Sequence, residues 1–66
     1  MTGGYSNQRV IELIDDYIHN ARDREILRDN LVDGLSYNEL ANKYHLTYER
    51  IKKILKKGKI AIFKHY

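Results

Sequence analysis

Lysines between positions 48 and 59 give this 66-residue chain its main chemical capability, together with a tyrosine and a glutamate that precede them. Ammonium groups bind phosphate, and side chains at the start of an exposed helix reach the edges of bases in a DNA major groove. The sequence therefore predicts a DNA-binding segment. Its candidates for base contacts are Tyr48, Glu49, Lys52 and Lys53. Its candidates for phosphate contacts are Lys56, Lys57 and Lys59.

A helical projection separates the lysines of this segment from its apolar residues. With Tyr48 at zero and about 100° per residue, Lys59, Lys52, Lys56 and Lys53 fall at roughly 20–140°. The apolar residues fall at roughly 240–340° and are Ile54, Ile51, Ile62 and Leu55. The segment is predicted to dock on a core by one side and to expose its lysines on the other.

Glu49 has two interpretations of equal weight. A carboxylate on a DNA-facing surface is repelled by phosphate unless it accepts a hydrogen bond from a base such as cytosine. Alternatively, it stabilises the first turn of the helix through the helix dipole.

Charge is distributed unevenly along the chain. Residues 1–35 contain four basic and seven acidic residues, whereas residues 36–66 contain eight basic and two acidic ones. The surplus positive charge thus lies in the C-terminal half, as expected of a face that binds a polyanion. On charge alone the evidence is weak, because a lysine-rich helix is more often simply a solvated face.

Composition excludes several classes of protein. The chain has no cysteine, so disulfides and thiolate metal sites are excluded. Its longest apolar run is four residues, far short of the ~20 that span a bilayer. The first residues lack the basic and apolar regions of a signal peptide. We expect one soluble, cytoplasmic domain with no membrane contact.

No pattern of catalytic residues is present. The histidines His19, His45 and His65 show no metal-ligand spacing, and Asp15 and Asp16 point about 100° apart on a helix. The sequence also lacks a nucleophile–histidine arrangement and a glycine-rich phosphate loop. We expect no enzyme activity, no metal and no cofactor.

Four helices are predicted, with no strand. After a flexible leader at residues 1–5, Ser6 or Asn7 caps the first helix, and Asn20 caps the second. Gly34 ends the second helix in a left-handed conformation. The fold class is therefore all-α, with a single helical domain over residues 6–66.

The third and fourth helices form a predicted helix-turn-helix at about residues 35–57. Ser36 and Glu39 have the spacing of a capping box, and Thr47 caps the fourth helix. Ala41 provides the small residue at the helix crossing, and Leu46 provides the apolar anchor of the turn. The turn departs from the usual glycine by placing His45 at the left-handed position, which histidine tolerates with some strain.

The C-terminal segment allows two predictions. Gly58 weakens the fourth helix by roughly 1 kcal/mol relative to alanine, so that the helix frays or bends there. The segment beyond it either extends the helix or folds back on the first one. Ile60, Ile62 and Phe63 form its surplus apolar surface, through which we expect a homodimer that contacts two half-sites.

The six tyrosines suggest a platform on which single-stranded bases stack. Tyr17 and Tyr44 lie on apolar helix faces and are predicted to be core residues. The stacking interpretation stays open for Tyr5, Tyr37, Tyr48 and Tyr66.

Three stretches resemble the fourth conserved region of bacterial sigma factors: residues 23–27, 34–41 and 46–54, with the sequences DREIL, GLSYNELA and LTYERIKKI. The likeness covers roughly residues 20–57. It implies a helix-turn-helix that contacts the upstream promoter element, and a second surface that docks on the flap of RNA polymerase. The family's base-contacting positions correspond to Tyr48, Glu49, Lys52 and Lys53.

Two departures from the family limit what the resemblance implies. Tyr48 and Lys52 stand where primary sigma factors commonly have arginine, so their promoter preference does not transfer to this chain. The segment that melts promoter DNA in complete sigma factors is missing from these residues. We expect a free-standing protein similar to sigma region 4, of a kind found in phages and mobile elements.

The sequence leaves two functions open. The first is a sequence-specific transcriptional regulator that binds double-stranded DNA. The second is a protein-interaction module of the same fold that binds RNA polymerase or another host protein.

Overall fold

A computed structural model describes residues 7–66 as four helices: α1 (Asn7–Tyr17), α2 (Ala21–Leu31), α3 (Tyr37–Tyr44) and α4 (Tyr48–Lys64). No strand occurs among these residues. The predicted all-α, four-helix fold is confirmed. The predicted leader at residues 1–5 and the predicted cap at Ser6 lie outside the described residues.

Side-chain caps define where α2 and α3 begin. The Oδ1 atom of Asn20 accepts a hydrogen bond from the backbone N–H of Asp23 at 3.1 Å. At α3, the Oγ atom of Ser36 accepts from the Glu39 N–H at 3.1 Å, and a Glu39 carboxylate oxygen accepts from the Ser36 N–H at 2.7 Å. Both predicted caps are confirmed, and each satisfies amides that have no partner inside the helix.

The turn between α3 and α4 has the predicted left-handed residue. His45 lies at φ 56° and ψ 41°, and its N–H bonds to the carbonyl of Ala41. The N–H of Leu46 bonds to the same carbonyl at 3.0 Å, which directs Leu46 back toward the core. The hydroxyl of Thr47 then accepts from the N–H of Arg50 at 3.1 Å and caps α4.

Gly34 ends the α2 segment as predicted. It lies at φ 78°, the only glycine with positive φ among the described residues. The chain reverses there, and the N–H of Leu35 bonds to the carbonyl of Asp29 at 3.0 Å. This bond satisfies a carbonyl at the end of α2 and sets the direction in which α3 starts.

All four helices contribute to one hydrophobic core. Helices α2 and α4 each pack against the other three helices of the described fold. The fully or almost fully buried side chains are Val10, Leu13, Ile14, Ile26, Leu27, Leu40, Ile51, Leu55 and Ile62.

Gly58 does not weaken α4 in the way that the sequence predicted. The helix continues through Gly58 to Lys64, so the tail extends the helix. Gly58 is buried, and a Cβ atom built there would lie only 2.4 Å from the Cδ1 atom of Leu27. Glycine therefore allows close packing of α2 on α4, which explains why the expected bend is absent.

The continuous helix also corrects the predicted surplus apolar surface. Ile62 is fully buried, one turn beyond Gly58 on the inner side of α4, and Phe63 packs against the core. Ile60 is exposed, at 61% of its surface. The predicted dimer surface thus loses Ile62 and most of Phe63.

Tyr17 is not the core residue that its apolar neighbours suggested. Its side chain is 42% exposed because it lies at the last position of α1, beyond the buried part of that helix. Its ring stacks on His65 with centroids 4.0 Å apart. Tyr44, by contrast, packs against the core as predicted.

Candidate nucleic-acid interface

The outer surface of α4 presents most of the predicted DNA-contacting residues to solvent. Tyr48 has 45% of its surface exposed at the first position of the helix. The inner side is anchored by the buried Ile51 and Leu55, so the orientation of the outer side is fixed by the core. The exposed members of the predicted set are Tyr48, Glu49, Lys52, Lys53, Lys56 and Lys57.

Positive charge on α4 is largely uncompensated. The helix has seven basic residues and a single acidic residue, Glu49. Within residues 7–66, no carboxylate lies within 4.0 Å of a basic group of α4, since the ion pairs of this range belong to α1, α2 and α3. The exposed ammonium groups are therefore free to neutralise an external polyanion.

A partly buried carboxylate helps to hold the first helix of the motif in place. The Oδ2 atom of Asp29 on α2 accepts hydrogen bonds from the Tyr44 hydroxyl at 2.5 Å and the Lys43 ammonium at 2.7 Å. Burial raises the pKa of Asp29, but these hydrogen bonds outweigh it and hold that pKa below its ordinary value. Burial and the hydrogen bond to Asp29 raise the pKa of Tyr44 to about 12.

Lys59 differs from the other predicted phosphate contacts. It is only partly exposed. Its Nζ atom donates to the hydroxyl of Tyr37 at 3.4 Å and lies 5.5 Å from the centroid of that ring. The Tyr37 ring also contacts the ring of Tyr48, with centroids 5.7 Å apart. Tyr37, at the first position of α3, thus contacts both Tyr48, the first of the predicted DNA-contacting residues, and Lys59, the last of them.

A groove along the flank of this outer surface contains a further cation, Arg50, that the sequence pattern did not single out. The groove has a volume of about 470 Å³ and separates the α1–α2 junction from α4. Arg50, Lys53 and Lys57 line its α4 side. Arg50 is exposed, and the helical projection places it at roughly 200°, next to Lys57 at roughly 180°. The position of Arg50 next to Lys57 on the projection was the sequence signal that could have identified it as part of the cationic surface.

The described residues offer neither a metal site nor a membrane span. No group of three or more histidine, aspartate or glutamate side chains within residues 7–66 is arranged to hold an ion. In the same range, none of the helices combines the length and the apolar character that crossing a bilayer requires.

Comparison with known proteins matches the part of the chain that forms this surface. The family model described as sigma-70, region 4 matches residues 20–59, which run from the capping residue of α2 to Lys59 in α4. Neither the curated proteins nor the solved structures gave a significant match. The matched range covers more than half of the chain and includes α2, α3, the turn and most of α4. This protein therefore belongs to the sigma-70 region 4 family, and its α3–α4 unit is the helix-turn-helix DNA-binding module of that family.

Proposed function

We propose that this protein is a sequence-specific, DNA-binding transcriptional regulator, cytoplasmic and without catalytic activity. In this proposal α4 enters the major groove of duplex DNA, with its first two turns toward the bases. The observation that supports it most directly is the uncompensated positive charge on a helix face whose orientation is fixed by the core.

Base contacts are assigned to the first two turns of α4. Tyr48, Glu49, Lys52 and Lys53 are exposed there, on a helix whose start is capped by Thr47. Lysine donates to guanine acceptors, and a glutamate accepts from the amino group of cytosine. A carboxylate among so many cations opposes phosphate binding, so Glu49 favours a sequence-specific role over a purely electrostatic one.

Phosphate contacts are assigned to the exposed cations farther along and beside the base-contacting face. Lys56 and Lys57 lie one turn beyond Lys52 and Lys53, and Arg50 lies next to Lys57 along the groove. About three phosphate contacts predict that log affinity falls with log salt at a slope of roughly −3. Absence of binding to selected duplex DNA at low salt would refute the proposal.

Loss of two lysines on the base-contacting face tests the assignment. We expect the double variant Lys52→Ala, Lys53→Ala to bind its selected duplex at least tenfold more weakly, because each good base contact contributes about 1–3 kcal/mol. Fluorescence anisotropy measures the affinity, and circular dichroism checks that the helices persist. Loss of the helical signal in this variant would contradict the outward placement of the two side chains.

Arg28→Ala is the matched control for this experiment. It also removes a positive charge from an exposed helical position, but Arg28 lies among Glu25, Asp29 and Asp33 on α2. We expect its effect on DNA affinity to be less than twofold. The control removes one charge and the double variant two, so a control loss of about half the binding free energy lost by the double variant would show that only net charge matters.

A second candidate function is a protein-interaction module that binds RNA polymerase. It is supported by Ile60, an apolar side chain that is 61% exposed within the lysine-rich part of α4. Pull-down of polymerase by the wild type, reduced by Ile60→Glu and unaffected by Lys52→Ala, is the expected result for this candidate. The predicted homodimer now rests on Ile60 alone, and the phage or mobile-element origin stays a prediction.

A further inference from the structure

We infer that Tyr37 and Lys59 form a brace that positions Tyr48 and so sets the base preference of α4. The inference rests on the proposed DNA-binding function and assigns roles to two residues within it. Tyr37 and Lys59 are positioning residues, which act through Tyr48 and do not themselves contact DNA. Lys59 was predicted to be a phosphate contact, and the brace gives it a different role.

Contact between two rings restricts where Tyr48 points. The Tyr48 side chain leaves the first position of α4 with 45% of its surface exposed, and the covered side faces the ring of Tyr37. The centroids are 5.7 Å apart and the planes are inclined by 50°, a geometry within the favourable range for aromatic pairs. Without this support the ring would exchange among its rotamers in solvent.

Tyr37 is itself held at a fixed place. It follows the capping residue Ser36 directly, and the reciprocal hydrogen bonds of Ser36 and Glu39 fix the backbone on both sides of it. Part of its side chain packs against the hydrophobic core. The ring that supports Tyr48 is therefore mounted on a capped helix instead of a loop.

Lys59 completes the brace from the other end of α4. It lies eleven residues after Tyr48, which corresponds to roughly 16 Å along the helix. Side chains on a helix tilt toward its N-terminus, so the lysine reaches back to the ring and hydroxyl of Tyr37. Its ammonium group is partly buried there and is already engaged with a hydrogen-bond acceptor and a π face.

The matched pair Lys56→Met and Lys59→Met separates the two possible roles of a lysine. Both changes keep an unbranched side chain and remove one charge, but Lys56 is exposed, whereas Lys59 is held by Tyr37. Removal of one phosphate contact makes the salt slope less steep by about 0.9. We expect that change for Lys56→Met and an unchanged slope for Lys59→Met. An equal change in both variants would overturn the inference.

Base preference tests the effect of the brace on Tyr48. Relative affinities are measured for duplexes randomised at each position of the selected site. We expect Tyr37→Ala to lower discrimination roughly two- to tenfold at the positions that Tyr48→Ala affects. The double variant should lose no more than Tyr48→Ala alone. Tyr37→Phe keeps the ring and should retain most of the discrimination. Additive losses in the double variant would overturn the inference.

A measurement on the free protein keeps this inference separate from the proposed function. The ring proton resonances of Tyr48 are followed by NMR without DNA in Tyr37→Phe and Lys59→Met. We expect only small shifts in Tyr37→Phe and, in Lys59→Met, averaging of the Tyr48 rotamers. Unchanged Tyr48 resonances in Lys59→Met would refute the brace. Failure of the wild type to bind DNA would refute the proposed function while leaving this result valid.

Discussion

Asp29 shows how a single partly buried residue determines the placement of α3. Its carboxylate accepts hydrogen bonds from two α3 side chains, Lys43 and Tyr44, through one oxygen. A hydrogen bond to a charged group contributes about 1.5–3 kcal/mol, which applies to the partly buried Tyr44 bond, whereas the ion pair with exposed Lys43 is screened by solvent and adds little. The ionised Asp29 therefore stabilises the contact between α2 and α3.

Asp29→Asn should lower the free energy of unfolding by about 1.5–3 kcal/mol at pH 7. The pKa of Asp29 is lowered in the folded protein, so its contribution is present above the unfolded value of 3.8 and is lost as the pH falls through the lower, folded value. The difference between wild type and variant should therefore shrink below about pH 4. Chemical denaturation at pH 7 and pH 3 measures it. Exposed Asp33→Asn is the control, and an equal effect there would contradict the assignment.

His45 is a site where a small change should stabilise the fold. A residue other than glycine costs roughly 1–2 kcal/mol in the left-handed conformation, while glycine loses roughly 0.5–1 kcal/mol of that gain to chain entropy. We therefore expect His45→Gly to raise the melting temperature by a few degrees, with base preference unchanged. Gly34→Ala, also at positive φ, should lower it. A lower melting temperature in His45→Gly would show that the histidine side chain makes a stabilising contact.

At the scale of helices, local sequence signals were sufficient to predict the helix boundaries. They were not sufficient to predict contacts between residues far apart in the chain. The caps at Asn20, Ser36 and Thr47 use hydrogen bonds between residues three positions apart, so the sequence alone determines them. The role of Gly58 depends on Leu27, which lies 31 positions earlier in the chain. Helix propensity predicts a weak point in α4 at Gly58. Only the packing of Gly58 against Leu27 shows why the helix continues through it.

The candidate site likewise has features that the sequence could predict and features that it could not. Helical spacing was sufficient to predict the exposed face of α4, because that face is the complement of the buried one. It was not sufficient to distinguish Lys56 from Lys59, since the difference between them is a contact with Tyr37 on another helix. Tyr17 illustrates the same limit, because spacing does not show where the core ends along α1.

Gly58→Ala sets helix propensity against packing. Alanine gains about 1 kcal/mol of propensity over glycine, but its Cβ atom would lie 2.4 Å from fully buried Leu27. Overpacking of a core typically costs 1–3 kcal/mol, so we expect a net loss of about 1 kcal/mol. In a Leu27→Ala background the clash disappears, and Gly58→Ala should become stabilising. Chemical denaturation of the four proteins, at a temperature low enough for Leu27→Ala to be folded, measures this coupling, and additive effects would contradict it.

At the scale of the whole molecule, α4 has two functions at once. With 17 residues it is roughly 25 Å long, nearly the 29 Å extent of the described fold. Its inner side completes the core, and its outer side is the candidate DNA-binding surface. Residues 1–35 have a surplus of acidic groups and residues 36–66 a surplus of basic groups, and α4 contains seven of the basic ones. Stability and binding are consequently coupled through one helix.

The pair Ile60→Ala and Ile62→Ala tests this double role. The two residues lie on the same helix, but Ile60 is 61% exposed, whereas Ile62 is fully buried. Truncation of a buried isoleucine costs about 2–5 kcal/mol, a large share of the stability that a chain of this size attains. We expect Ile62→Ala to unfold most of the protein at 37 °C and to lose DNA binding with it. Ile60→Ala should keep the wild-type melting temperature and its affinity for a single half-site.

Comparison of self-association between the wild type and Ile60→Ala shows what the exposed isoleucine does. Sedimentation velocity at increasing concentration measures it, with circular dichroism as the check on folding. If the homodimer forms through Ile60, Ile60→Ala should shift it toward monomer without loss of helix. Because lysines surround Ile60 on α4, two copies in contact there would repel each other, and added salt should strengthen the dimer. A monomeric wild type at all salt concentrations would remove the dimer from the proposal and leave Ile60 to a partner of another kind.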